Sequence, residues 1–486
     1  MVNLVVNQPN TPNDPAAASQ TDCNHPPLLF PELCARSVVV DFNAPRISDG
    51  GGGVLLARLD RSFGYLARFA AGFTDYRDAE SIEHSTLELL RQRVYGLALG
   101  YEDLNDHDHL RADPLLAALC GKRDPTGQDR LRAQDRGQAL AGKSTLNRLE
   151  LTPPDADAAA RYKKIVADAE GLEDFFIHEF VRSLARDPSR VVLDLDATDD
   201  PIHGQQEARF FHAYYGDYCY LPLYVFCGAW PVLAWLRTSD RDAAFGAVGK
   251  VAKIVAALRR KFPRLKIILR GDSGFCRDEL LRWCELNGVN YLFGLARNAV
   301  LERKLQSALA QAREKSEAQE GAAARVFCEF TYRAKKWHAP RWVIGKAEWT
   351  QGEANPRFII TNLSPLEFEA RELYEKEYCG RGNMELRIKE QQLDMFAGRT
   401  STEGMHSNQL RLWFSTLAYL LVNQLRRVAL RGTELAVATC GSIRLKLFKI
   451  GALVRVSVRR VSVSLSAAWP RAALLELAAA RLSGSG

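Results

Sequence analysis

The apolar positions follow two rhythms, and the change between them comes near residue 190. Upstream, "TLELLRQRVYGLALGY" (86–101) and "EDFFIHEFVRSLAR" (173–186) repeat apolar residues every three or four positions, the spacing of a helix with one buried face. No long β run interrupts residues 55–185, so this region is expected to be all-helical. Downstream, "RVVLDLDAT" (190–198), "EARFFHAYY" (207–215) and "YLPLYVFCGAWPVLAWLRT" (220–238) read as strands around turn signals. A helix is predicted over 243–262, then a short buried strand at "LKIILRGD" (265–272). "RDELLRWCELNG" (277–288) is a helix stopped by Gly288, and "NYLFGLA" (290–296) another strand. Three meandering strands followed by alternating elements predict an α/β fold, a mixed sheet with helices on its faces.

After a helix at 300–318, residues 324–363 alternate with period two and break this rhythm, so an all-β insertion is assigned to 301–365. Helices resume at "PLEFEARELYEKEY" (365–378) and run to about 430. The closing "KIGALVRVSVRRVSVSLS" (449–466) alternates Val with Arg or Ser, as one-sided strands with a basic outer face would. Residues 1–50, rich in Asn, Pro, Asp and Gly, read as a mobile tail with one strand at "ARSVVVDF". The divisions are thus a tail (1–50), a helical domain (51–185), a core in two parts (186–300 and 366–435) split by the insertion, and a basic C-terminal segment (436–486).

Composition changes this picture little. Apolar residues make up 47% of 486 and charged residues 25%, an ordinary globular balance, with net charge +7. The clustering says more: from Ala243 to Arg270 there are eight basic residues and no acid, among them Lys250 and Lys253. Such a helix suits a polyanion, although a solvated helix face fits the same run. Ten cysteines without a C-x-x-C exclude a disulfide framework and a zinc ribbon. His107 and His109 in "DHDHL" could bind metal, but a polar loop is the better reading. No signal peptide and no membrane span are expected, and a reducing cytoplasm fits best.

"GQALAGKST" (137–145) matches the phosphate-cradling loop of NTPases, but the context is wrong. The charged "TGQDRLRAQDR" precedes Gly137, where a buried strand is required, so no ATP is expected. A turn between two helices is the better reading: Gly142 ends one, Ser144 caps the next, and 137–150 becomes a candidate helix-turn-helix. Its second helix would offer Lys143, Thr145, Asn147 and Arg148 to DNA. An ordinary helix pair fits equally.

The chemistry lies in acids at strand ends. Asp194 and Asp196 alternate on one strand and so share a face. Asp272 ends a second apolar strand. Buried carboxylates need cations or donors, and ligands collect beyond the carboxyl ends of strands in open α/β sheets. In "YCGRGNMELRIKEQQ", Tyr378, Arg381 and Glu385 fall at i, i+3 and i+7 of a helix. Glu385 can complete a triad, with Arg381 and Tyr378 set for phosphate contacts.

Together "LDATDDP", "LRGDSGF" and "YCGRGNMELRIKE" resemble bacterial insertion-sequence transposases of the DDE type, from the branch with an RNase H-like core, a β insertion before the Glu, and a Tyr-x2-Arg-x3-Glu-x6-Lys helix. The likeness spans about 80–465. It implies that Asp196, Asp272 and Glu385 bind metal, and that the first and fourth sheet strands lie side by side. The family's Lys is Gln392 here, with Lys389 one turn earlier as a substitute. The resemblance implies two Mg²⁺ ions, replaceable by Mn²⁺, and cleavage of transposon ends followed by strand transfer without ATP. Double-stranded DNA and a homodimer on it are the expected partners. Lys250, Lys253, Arg455, Arg459 and Arg460 would grip the backbone, and Trp337, Trp342 or Trp349 could stack a displaced base, with at least two of the three in the core. The rival readings are a P-loop NTPase acting on DNA and a relative that binds DNA without cutting.

Overall fold

The computed structural model describes residues 27–30, 36–41 and 43–484. Most of the expected tail lies outside these residues. Of "ARSVVVDF", Val38–Val40 does form a strand, antiparallel to Leu28–Phe30.

The N-terminal region is helical, with α1 (Val54–Phe63), α2 (Thr86–Leu99), α3 (Lys143–Glu150) and α4 (Ala169–Ser183). A short strand pair, Phe73–Asp75 with Ile165–Ala167, is added to it. Helix α2 starts where the pattern says, at a Ser85–Glu88 capping box, and Asp168 caps α4.

The helix-turn-helix expectation fails. Residues 137–142 are not helical; Gly142 is the N-cap of α3, and Ser144 lies inside the helix and does not cap it. The buried Gln92 amide holds Ala141 from both sides, accepting from its N–H at 3.0 Å and donating to its carbonyl at 2.7 Å. Ala139, Leu140 and Ala141 are buried as core chain rather than as a first helix. No strand enters this turn, and Lys143 Nζ is held by Asn105 and Asp108, so the phosphate-loop match has no structural counterpart either. "DHDHL" is a short helix rather than a polar loop. His107 inside it is buried against Gln92, and burial drives its pKa down to about 3.

The central sheet has nine strands. Its core five are β1 (Arg190–Ala197), β2 (Leu223–Cys227), β3 (Trp230–Trp235), β4 (Lys266–Gly271) and β5 (Asn290–Leu295), in the spatial order β3-β2-β1-β4-β5. β1 runs antiparallel to β2 and parallel to β4, which is parallel to β5. This is the RNase H-like arrangement. The parallel crossovers come through α5 (Ala247–Lys261) and α6 (Asp278–Leu286). The β-rich segment, with helix α7 (Ala299–Ala318) before it, does not fold apart. Strands β6 (Ala324–Tyr332), β7 (Arg341–Thr350) and β8 (Arg357–Thr361) prolong the same sheet, because β8 pairs with β5.

The two sheet faces are covered differently. One packs on α4, α5 and the long α9 (Met405–Val428), whose apolar stretch is buried almost all round. No helix among the described residues is long and apolar enough to cross a membrane. The other face carries a smaller cluster, Ile268, Leu292, Ile344 and Ile359, capped by Leu373 and Tyr374. These two belong to a helical run over 370–394 that contains α8 (Gly382–Lys389). The exposed Arg455 and Arg459 sit in a C-terminal hairpin of β9 (Ala452–Val456) and β10 (Val461–Leu465), which Ile47–Ser48 extends.

Candidate active site

Asp196 stands next to the last residue of β1, and Asp272 directly follows β4. The last registered pair between the strands is Leu195 with Gly271, so the two acids come one step later, side by side at the sheet edge. Asp272 is locked by capping a short turn, accepting from Gly274 N–H at 2.8 Å. Beside it on β5 is Gly294, where a Cβ would lie 2.7 Å from the Tyr378 hydroxyl and 3.0 Å from Ser273 N. Only glycine lets Tyr378 approach this closely.

The helical run brings the third acid. It holds two π-helical turns, Leu373–Tyr378 and Glu390–Asp394, on either side of α8. Arg381 donates to Asp196 Oδ2 at 3.3 Å and to Glu385 Oε1 at 2.8 Å, so one guanidinium bridges acids 189 positions apart in the chain. Asp196 is pushed up to about 6, first by burial and then by Asp272 and Glu385, against the pull of Arg381. Burial raises the Tyr378 hydroxyl as well, with Arg381 opposing and Asp272 adding to the rise. Asp196, Asp272, Glu385, Tyr378 and Arg381 therefore form one electrostatic cluster. Among the described residues no three His, Cys, Asp or Glu side chains are close enough to hold a metal ion, and Arg381 is the cation between two of the acids.

Asp194 has a different task. It faces Arg270 across the β1–β4 pair and takes its guanidinium on both oxygens, Nη2 reaching Oδ2 at 2.8 Å. Arg270 also donates to the Glu377 carbonyl, fastening the helical run to the sheet. Gln392, at the signature Lys position, donates to the Asp199 carbonyl at 3.1 Å and ties the same run to the loop after β1. Lys389 is exposed.

Other expected DNA contacts are differently placed. Lys250 lies 2.6 Å from Glu173, and Lys253 lies 2.8 Å from Asp174, both acids on α4. Further along the basic run, Arg259, Lys261, Lys266 and Arg270 bond Gly288, Val181, Glu367 and Asp194. The run is mostly a glue between elements, and Lys250 and Lys253 are engaged with α4 acids. On α3, Lys143 is exposed but ion-paired, Asn147 is half-buried, and the exposed Arg148 lies over Tyr162 at 5.3 Å. Trp337 is buried under Arg341, Trp349 is half-buried with Arg313 5.4 Å from its ring, and Trp342 is half-buried. Two groups escaped the sequence reading. Arg297 and Arg357 line a pocket of about 430 Å³ with Asp272, Tyr374 and Tyr378. A hairpin after β1 carries several exposed aromatic rings. "EARFFHAYY" showed those aromatics, but its β pattern did not distinguish a core strand from an exposed one.

No curated protein matches the chain. Among solved structures it is similar to a piggyBac transposase synaptic complex with hairpin DNA, at 11% identity over 81% of this chain and 79% of that chain, with a TM-score of 0.38. The family model described as "Transposase DDE domain group 1" matches residues 30–486, and the chain belongs to that family of transposases.

Proposed function

We propose that this transposase cuts DNA at the ends of its own insertion sequence and joins the freed 3′-hydroxyl to target DNA, with Asp196, Asp272 and Glu385 as its catalytic acids. The observation that carries the reading is the meeting of Asp196 and Asp272 on adjacent strands, with Arg381 linking Asp196 to Glu385. DDE domains generally use divalent metal ions. An all-oxygen donor set with excess negative charge suits a hard cation such as Mg²⁺, with Mn²⁺ as a substitute. Two such ions would activate water or the 3′-hydroxyl and stabilise the leaving oxygen. For all three acids to act as ligands, Arg381 releases Asp196 and Glu385 and turns its fork to a phosphate. Tyr378, wedged against Gly294, positions the strand at Asp272. Joining two ends calls for two copies of the chain on DNA.

Asp272→Asn removes one ligand charge and keeps the turn-capping oxygen. In a Mg²⁺ cleavage assay on a supercoiled plasmid bearing the repeats that border the gene, it is expected to abolish nicking and leave end binding within about threefold. Undiminished nicking would sink the assignment.

A further inference from the structure

Between β1 and β2 the chain makes a small hairpin, Phe210–His212 paired with Asp217–Tyr220. Its root is rigid: Cys219 and Tyr220 are buried, and the Tyr220 hydroxyl donates to the Glu207 carbonyl at 2.8 Å. The rest projects rings into solvent. Phe211 is 56% exposed, Tyr214 86%, and Phe210 and Tyr218 40% each. Phe211 and Tyr218 pair across the strands at 5.5 Å, and Arg209 lies 3.9 Å over the Tyr218 ring. A concentration of exposed rings this dense calls for an occupant.

Its position says which. The Tyr215 hydroxyl faces the Ala197 carbonyl, one residue past Asp196. Tyr214 packs edge-on against the Tyr215 ring at 5.0 Å. Through Tyr215 the outer rings therefore adjoin the end of β1 that carries Asp196. The surface offers flat rings and a stacked guanidinium, and no large aliphatic side chain is among its exposed apolar groups. That is the chemistry of nucleobase stacking. A base inside a duplex has both faces covered by its neighbours, so only an unpaired or extruded base can lie on these rings.

We propose that hairpin 210–220 is a stacking platform for unpaired nucleobases of the strand held at Asp196 and Asp272, so that the DNA is melted where it is cut. This rests on the reading of the chain as a DNA-cleaving transposase.

The test uses duplexes of the bordering repeats with 2-aminopurine at successive positions around the cut, and a single-stranded oligonucleotide of the same sequence. With the full-length protein, 2-aminopurine fluorescence changes at one or two positions. In Phe211→Ala/Tyr214→Ala/Tyr218→Ala that change is lost and single-strand affinity falls roughly tenfold or more. Cleavage by this variant is restored on a substrate with an abasic site opposite the affected position. Tyr214→Ala, at the most exposed ring, serves as a milder variant should the triple one fold poorly, and must show the same loss in part. If wild-type protein cleaves but fluorescence is silent at every position, the platform is refuted and the transposase reading stands. If the wild type fails to cleave yet its single-strand binding depends on these rings, the cleavage reading fails and the platform survives. A variant that shifts the protein from dimer to monomer with an unchanged fluorescence response makes the hairpin a contact between copies and overturns the proposal.

Discussion

Asp200, four residues beyond Asp196, is buried with one carboxylate oxygen on the Thr400 hydroxyl at 2.8 Å and the other without a partner among the described residues. Burial pushes its pKa up to about 7, against the Thr400 bond and with help from Asp199. A carboxyl raised above its unfolded value near 4 adds stability while protonated, and that stability is lost as pH rises through the folded pKa. The loss runs between about pH 4 and 7 and amounts to a few kcal/mol, at about 1.36 kcal/mol per unit. Asp200→Asn keeps an acceptor for Thr400 and never ionises. Its Tm should gain on the wild type from pH 5 to about pH 7 in thermal melts and then level off, and parallel curves would refute the account. Asp200 shows where legibility ends at this scale. The convergence of Asp196 and Asp272 could be read because each closes an apolar strand. "DDP" gave no sign that its second Asp turns inward, since Thr400 is 200 positions away.

Besides the apolar seat of Leu373 and Tyr374, polar ties hold the helical run over 370–394 to the sheet: Arg270 to Asp194 and Glu377, Arg190 to Glu377 at 2.7 Å, and Gln392 to Asp199. Asp194 is almost wholly buried, so removing its partner strands a charge, at a cost of about 3 kcal/mol or more. Arg270→Ala should lower Tm by several degrees and open 370–394 to limited proteolysis. Arg270→Lys should recover little, because a lysine cannot make the two-pronged contact and reach Glu377 as well. Full recovery by Lys would reduce the clamp to simple charge neutralisation. At this scale the apolar pattern revealed most helices and most core strands, but it merged β2 and β3 into one stretch and counted "EARFFHAYY", an exposed hairpin, as a strand of the sheet. It failed where an element's partner is remote. Residues 137–141 are held by Gln92 nearly fifty residues upstream, and the lysines of α5 by acids of α4 more than seventy residues away.

Over the whole molecule the net charge of +7 is a poor guide to where DNA lies, since most cations in the Ala243–Arg270 run are consumed internally. What matters is which cations have no internal partner, because only these exchange small counterions for phosphate. Arg297 and Arg357 have no ion pair among the described residues and share a pocket with Asp272. Arg455 and Arg459 are exposed on the C-terminal hairpin. Each phosphate contact contributes about 0.9 to the slope of log affinity against log salt. Removing two contacts should flatten that slope by about 1.8 and weaken binding to all sequences alike. Arg297→Gln/Arg357→Gln is expected to show this, and Arg455→Gln/Arg459→Gln likewise if the C-terminal hairpin lies on the backbone. Lys250→Gln/Lys253→Gln should leave the slope alone and instead lower Tm, since those ammonium groups hold α5 to α4. The measurement is binding of an end duplex by fluorescence anisotropy across a salt series. A slope change confined to the lysine pair would mean that the α4 acids give way to DNA, and that the basic run is the phosphate track after all.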